Sequence, residues 1–240
     1  MNIRLLRRLR PLAAALAAAA TACGSDLTLP DATGVGLDLT KVRGDGQTGA
    51  VGEALPEPLV VRLASEAGQP ASGRKVAFVL PDGGSGRLEP DTAVTNASGE
   101  ALALWVLGTV PGEHLVEARL VTEGAGGPAT SFQASAVAGL PDTLRAVSAL
   151  FQPGRRGQTL PDPLVVVVTD RFGNPVAGAE VGWEVTVGEG SLNAESTPTA
   201  GDGTASVSWT LGGRIGVQKV TAAVPGAAGS PVTFSATVLF

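Results

Sequence analysis

From about residue 37 onward the apolar positions recur with a period of two. Val181, Trp183, Val185 and Val187 alternate with Glu180, Gly182, Glu184 and Thr186. Ala205, Val207, Trp209 and Leu211 alternate with Ser206, Ser208 and Thr210, and Val220, Ala222, Val224 and then Phe234, Ala236, Val238 follow suit. Successive side chains of a strand point to opposite faces, so this pattern predicts strands with one buried and one wet face. Turn residues separate the strands, as in Asp170-Arg171-Phe172-Gly173-Asn174-Pro175. There Gly and Asn tolerate a positive φ, and Pro ends strand pairing. About seven such strands per hundred residues predict an all-β chain built of sandwiches.

The pattern occurs twice. Leu55-Pro56-Glu57-Pro58-Leu59-Val60-Val61 is matched 105 residues later by Leu160-Pro161-Asp162-Pro163-Leu164-Val165-Val166. That offset persists through Gly68/Gly173, Pro70/Pro175, Gly73/Gly178 and Val76/Val181. One residue is then lost, and Gly86/Gly190, Leu88/Leu192, Gly99/Gly203, Trp105/Trp209, Gly112/Gly216 and Ala118/Ala222 follow at an offset of 104. A unit of this length is a domain rather than a solenoid repeat. Domains are expected at 37–138 and 140–240, joined by Gly139-Leu140-Pro141-Asp142.

The second unit carries Asp170-x-x-Gly173-Asn174-Pro175-Val176-x-Gly178-x-x-Val181-x-Trp183. It continues with Gly188-x-Gly190-x-Leu192, Gly203-x-Ala205, Trp209-x-Leu211-Gly212 and Gly216-x-x-x-Val220-x-Ala222. This run resembles the bacterial immunoglobulin-like repeat (group 1) of the invasin and intimin type. The first unit resembles it too, with Ser65 in place of Asp170 and Gln69 in place of Asn174. The resemblance implies two tandem immunoglobulin-like β-sandwich domains on a bacterial surface, acting as spacers or adhesive tips. It carries over no binding residue, because the shared positions are turns and core.

Residues 1–22 read as an export signal. A basic segment, MNIRLLRRLR, precedes a run of Leu and Ala that is too short for the roughly 20 residues of a spanning helix. Cys23 is the only cysteine, and it directly follows Ala20-Thr21-Ala22. That arrangement resembles a lipobox, which predicts cleavage between Ala22 and Cys23 and acylation of Cys23. More than one acyl chain, at about 0.8 kcal/mol per buried CH₂, anchors a protein stably. Ordinary signal-peptidase release is the alternative use of the same Ala-x-Ala tripeptide. Gly24, rather than Asp, follows the cysteine, and the resemblance to the usual lipoprotein sorting pattern then implies the outer membrane or cell surface. Residues 24–36 are small and polar and read as a flexible tether reaching about 40 Å when extended.

Composition narrows the function. The chain has 17 basic and 22 acidic residues, and four of the basic ones lie in the leader, leaving a mature net charge of −9 (13 − 22). No nucleic-acid partner is expected from that balance. One Cys and one His exclude an internal disulfide and a multi-Cys/His zinc site. His114 is read as a solvated strand or turn residue, since Gln218 takes its place in the other unit. Asp162, Asp170, Glu184, Glu189 and Asp202 are read as solubilising carboxylates rather than a catalytic pair. Gly83-Gly84-Ser85-Gly86 lacks the Lys of a phosphate loop and is read as a turn. Arg43-Gly44-Asp45 spells the integrin-binding tripeptide and is also read as an ordinary turn. Calcium between Asp142 and Glu57 lacks the dense Asp/Asn loop such sites use. No enzyme activity and no cofactor are expected.

The repeats differ most at one strand. Leu102, Leu104 and Val106 stand where the second unit has Ser206, Ser208 and Thr210. Ala77 and Val79 replace Gly182 and Glu184, and Leu115 replaces Lys219. If these strands adjoin in one sheet, Ala77, Val79, Leu102, Leu104, Val106 and Leu115 form one apolar outer face. A face of that kind on an exported domain predicts a protein partner or self-association through domain 1. The expected function is that of a non-enzymatic, lipid-anchored envelope protein presenting two domains as a spacer, adhesion or interaction module, with the membrane as partner through Cys23. A secreted or periplasmic carbohydrate-binding module, or an accessory subunit of an envelope complex, is the alternative. The sugar-binding reading needs exposed aromatic platforms, but the alternation turns Trp105, Trp183 and Trp209 inward.

Overall fold

The first two strands of each half of the chain go to different sheets. In the computed structural model, which describes residues 36–239 apart from 82, 83, 85, 124 and 125, β1 (Leu37–Arg43) runs antiparallel to β3 (Leu59–Ser65). The chain then crosses over, and β2 (Gln47–Ala50) runs parallel to β9 (Ala129–Val137). The leader, Ala22, Cys23 and tether residues 24–35 lie outside the described residues.

The crossover follows from local chemistry. A bulge between Lys41 and Arg43 turns the strand, and Gly44 takes φ +90°. A Cβ on Gly44 would stand 2.3 Å from the carbonyl oxygen of Pro58, so only glycine fits. Asp45 then fastens the new direction by accepting the backbone N–H of Gln133 at 2.9 Å and pairing with Lys41.

The remaining strands of the first half are β4 (Lys75–Val79), β5 (Gly86–Glu89), β6 (Thr92–Val94), β7 (Glu100–Leu107) and β8 (Gly112–Leu120). They complete one sheet in the order β1-β3-β7-β5 and a second in the order β2-β9-β8-β4-β6. The second half repeats the plan. Strand β10 (Thr143–Ala146) is antiparallel to β12 (Leu164–Thr169), and β11 (Phe151–Arg155) is parallel to β19 (Val232–Leu239). With β13 (Glu180–Val187), β15 (Ser196–Pro198), β16 (Thr204–Val207) and β18 (Gly216–Ala223), these form sheets β10-β12-β16 and β11-β19-β18-β13-β15. A short ladder of β14 (Ser191–Leu192) with β17 (Trp209–Thr210) continues the smaller sheet past Ser208.

Each half buries its own apolar cluster. Leu59, Val61, Phe78, Ala103, Trp105, Val116 and Phe132 fill the first, and Val166, Val181, Trp183, Val207, Trp209, Val220 and Phe234 fill the second. Each of the larger side chains contributes about 1.5–3 kcal/mol on burial. All three tryptophans point inward, with relative exposures of 0%, 4% and 1% for Trp105, Trp183 and Trp209.

The alternation expected along β13 fails at its end. Val181 and Trp183 are buried and Val185 is half-buried, as their parity requires, but Val187 is exposed. The register slips between Val185 and Val187, so Val185 pairs with buried Val220 while Val187 pairs with exposed Lys219. One extra residue in a bulge inverts the parity beyond it.

Candidate functional site

The six apolar positions expected on one outer face are divided between two. Leu102 and Leu104 are exposed and Val106 half-buried on β7, whose partners are β3 and β5. Ala77 and Val79 are half-buried on β4 and Leu115 is exposed on β8, in the other sheet. Both sheets pack their inward residues, Trp105 and Phe78 among them, into the same core, so the two outer faces are opposite. The cause is topological: β5 returns to β7, β6 returns to β4, and the chain changes sheets between them. The β7 group is also interrupted by charge, since Val106 and Leu104 stand opposite Arg87 and Glu89, which pair with each other at 3.0 Å. The single interaction face is therefore corrected to two small, separate groups.

The structure directs attention instead to Asp170, one of the carboxylates read as solubilising surface. It is 2% exposed. Its Oδ1 accepts the backbone N–H groups of Phe172 and Asn174, each at 2.9 Å. Its Oδ2 accepts the backbone N–H of Gly139 and the side-chain amide of Asn174, again at 2.9 Å. Burial alone would raise the carboxyl pKa, but hydrogen bonds from the Asn174 side chain and from the Gly139, Asn174 and Phe172 backbones outweigh it. They hold the group below the ordinary carboxylate range. Gly173 closes the turn at φ +85°. In the first half the corresponding turn has only the Ser65 hydroxyl, which accepts the Gln69 N–H at 3.2 Å.

This turn joins the two sandwiches. Asn174 donates its amide to the carbonyl of Thr109 at 2.8 Å. Arg171 pairs with Glu53 at 2.9 Å and lies over the Phe172 ring, 4.7 Å from its centroid. Phe172 covers Gly52, where a Cβ would come within 2.6 Å of the ring. The linker is tied down at both ends. Gly139 bonds to Asp170, Asp142 donates to the Thr169 carbonyl at 2.9 Å, and its own carbonyl accepts from Ala228. Leu140, between them, is 88% exposed. A cleft of about 300 Å³ remains, lined by Ala50, Val51, Leu140, Pro141, Asp170 and Arg171 among others. The exposed Arg171–Glu53 pair is worth at most about 1 kcal/mol, so the charge-assisted bonds to buried Asp170 dominate. The spacing Asp-x-x-Gly-Asn carried a signal: short polar side chains of this kind bond to backbone two to four residues ahead.

The other candidates have structural tasks. His114 places Nε2 2.9 Å from the Val110 carbonyl, a bond within its own turn. Its counterpart Gln218 is buried, accepting the Gly212 N–H at 2.9 Å and donating to the Arg214 carbonyl at 3.0 Å. Asp45 of the Arg43-Gly44-Asp45 tripeptide is committed to Gln133 and Lys41. Among the described residues no group of three His, Cys, Asp or Glu side chains is placed to hold a metal. Asp162, Glu184, Glu189 and Asp202 are exposed and do not converge with Asp170.

Residues 161–237 match the family described as bacterial Ig-like domain (group 1). No curated protein matches the chain. Among solved structures the chain is similar to FdeC, an Escherichia coli adhesin, with 18% identity and a TM-score of 0.54 over 84% of this chain and 64% of that one. It also aligns with the Yersinia pseudotuberculosis adhesin InvE, at 19% identity and a TM-score of 0.38, over 84% of this chain and 59% of that one. With invasin, described as a bacterial integrin-binding protein, the values are 25% and 0.37, over 84% and 39%. The chain thus spans less than two thirds of each of these structures. The likeness to FdeC is one of fold, and the first sandwich repeats the topology of the second. The match to the bacterial Ig-like domain (group 1) thus lies within the second sandwich.

Proposed function

We propose that the chain is a non-enzymatic envelope protein, anchored through acyl chains on Cys23, that holds two Ig-like domains in a fixed relation as a surface spacer or adhesion module. The observation that carries this reading is the junction. A buried carboxylate, an amide bridge to Thr109 and a linker bonded at both ends give the sandwiches a defined mutual contact, which a load-bearing spacer needs and an enzyme or loosely tethered binding domain does not. The inward tryptophans support it against the sugar-binding alternative. The lone cysteine behind Ala20-Thr21-Ala22 supports lipid anchoring at the outer membrane or cell surface.

The test is protease shaving of intact cells, with mass spectrometry of the released peptides, a periplasmic marker and a Cys23→Ala control. Release of peptides from 37–240 without marker leakage, together with loss of the chain from the membrane fraction in Cys23→Ala, is expected. Protection until the envelope is opened would place the domains inward. Unchanged membrane retention in Cys23→Ala would overturn the anchor.

A further inference from the structure

The outer face of the second sandwich combines bare arginines with exposed apolar side chains at one end. Residues Phe151, Pro153 and Arg155 of β11 stand beside Ser235, Thr237 and Leu239 of β19. Beyond β19, Lys219 and Val217 of β18 face Ser235 and Thr237. Ile215 lies next in line, beside Leu239, because Gly216 pairs with Val238. Phe151, Val217, Ile215 and Leu239 are 56%, 53%, 45% and 51% exposed. This end is remote from the junction. Strand β19 starts near the Ala228–Asp142 contact and rises about 3.4 Å per residue to Leu239.

Three arginines ring the apolar group. Arg155 ends β11, Arg156 follows it on a turn bonded to Leu211 through Gly157 N–H, and Arg214 sits on the turn that buried Gln218 pins. All three are exposed, and none forms an ion pair with a described residue. The acidic residue beside this end is Glu189, whose backbone packs on Gly212. The second half has only six basic residues from 140 to 240, so half of them are gathered here on an acidic protein. The corresponding positions of the first sandwich are Ala50, Val51 and Val110, and Ala50 and Val51 line the junction cleft. The corresponding pole is thus apolar in the first sandwich, where it adjoins the second, and basic in the second sandwich.

We infer that this end of the second domain docks on an anionic lipid surface. The arginines would meet headgroup phosphates, while Ile215, Leu239 and Val217 enter the interfacial layer; Phe151, opposite Ser235 four residues back from the Arg155–Leu239 pair, stays outside it. Charge complementarity favours an anionic partner, and the exposed apolar residues inside the basic ring favour an amphiphile over a soluble polyanion.

The test uses the chain from Gly24 onward, so that neither acyl chains nor the basic leader contribute, against the same chain with Arg155→Ser, Arg156→Ser and Arg214→Ser. Binding to phosphatidylglycerol vesicles but not to phosphatidylcholine vesicles is expected. The triple variant should bind on the order of a hundredfold more weakly, since each basic residue near such a surface is worth about fivefold. A triple Arg→Lys variant should retain binding, and Ile215→Ser should weaken what persists at high salt. Buried-tryptophan emission monitors folding. Equal binding to both vesicle types, or an unaffected triple-Ser variant, overturns the proposal. Binding of heparin without binding of phosphatidylglycerol overturns it in favour of a soluble polyanion.

Discussion

The side-chain amide of Asn174 is divided between two partners: one hydrogen goes to Asp170 Oδ2 at 2.9 Å, the other to the carbonyl of Thr109 at 2.8 Å. Asp170 therefore aims the group that reaches the neighbouring sandwich, and it also holds Gly139 of the linker. Contact between the domains is governed by a carboxylate that makes no bond to the first sandwich's own strands. The Arg171–Glu53 pair adds to the junction from the solvent side.

Replacing Asp170 should release both ends of this arrangement. Asp170→Ala leaves four donors without their acceptor, and hydrogen bonds to a buried charged group are worth about 1.5–3 kcal/mol each in favourable cases, less when counted together. A loss of about 2–4 kcal/mol from the second domain is expected, measured by urea unfolding. Asp170→Asn should be nearly as damaging, because its NH₂ would face the Gly139 N–H and the Asn174 amide, donor against donor. Limited proteolysis at Leu140 should accelerate in both variants, whereas Arg171→Ala should leave it close to wild type.

Acid should act on the same turn. The folded-state pKa of Asp170 lies below its ordinary value because hydrogen bonding outweighs burial. For Asp45 the hydrogen bond from Lys41 leads, burial opposes it, and the Gln133 N–H assists. A depressed folded pKa means that the unfolded chain binds more protons, so the contribution is complete above the ordinary carboxylate range. It is lost as pH falls from about 4 through the folded value. Urea midpoints between pH 7 and pH 2.5 should drop in that acid window. The Asp170→Asn variant should show a shallower drop, and an identical slope in both proteins would exclude Asp170 as a contributor.

Much of this fold is legible in the alternation and the repeat. The inward set Ala101, Ala103, Trp105 and Leu107 is buried in full, as is Ala205, Val207, Trp209 and Leu211. Parity is a local property, and on β13 it fails where a bulge adds a residue, at Val187. Which strands share a sheet is not local. Grouping Leu102 with Ala77 assumed that β7 and β4 adjoin, whereas the register of β5 on β7 and β6 on β4 puts them in opposite sheets. Asp170 was visible as a turn residue, but its bond to Gly139 of the linker, and the bond of Asn174 to Thr109, 65 positions away, are long-range. The basic end of the second domain assembles from Arg155 and Arg214, which sequence separates and the pairing of β11 and β18 on either side of β19 brings together.

Gly52 reports on the junction from the first sandwich. It takes φ +73°, and a Cβ there would stand 2.6 Å from Phe172 Cζ and 3.2 Å from the Arg171 guanidinium. Gly52→Ala combines a left-handed backbone penalty of about 1 kcal/mol with displacement of a ring that can move. The first domain should lose about 1–2 kcal/mol, and proteolysis at Leu140 should rise. Gly178→Ala has a similar φ, +74°, but open space around it, so it isolates the backbone cost. Equal effects on linker cleavage would mean that the Phe172 contact contributes nothing to the junction.

The three tryptophans provide a direct check on the sugar-binding alternative. Trp105 and Trp209 are essentially inaccessible, and Trp183 is 4% exposed, with its Nε1–H donating to the Thr197 hydroxyl at 2.8 Å. A carbohydrate platform needs an aromatic face open to solvent, and the chain has no tyrosine to supply one. Iodide, a charged quencher that does not enter packed interiors, should therefore reduce native emission only slightly and restore normal quenching after unfolding in urea. Phe151 is an exposed aromatic on β11, and it contributes nothing to tryptophan emission. Strong iodide quenching of the native chain would mean that at least one indole is open to solvent, and the sugar-binding reading would then displace the spacer.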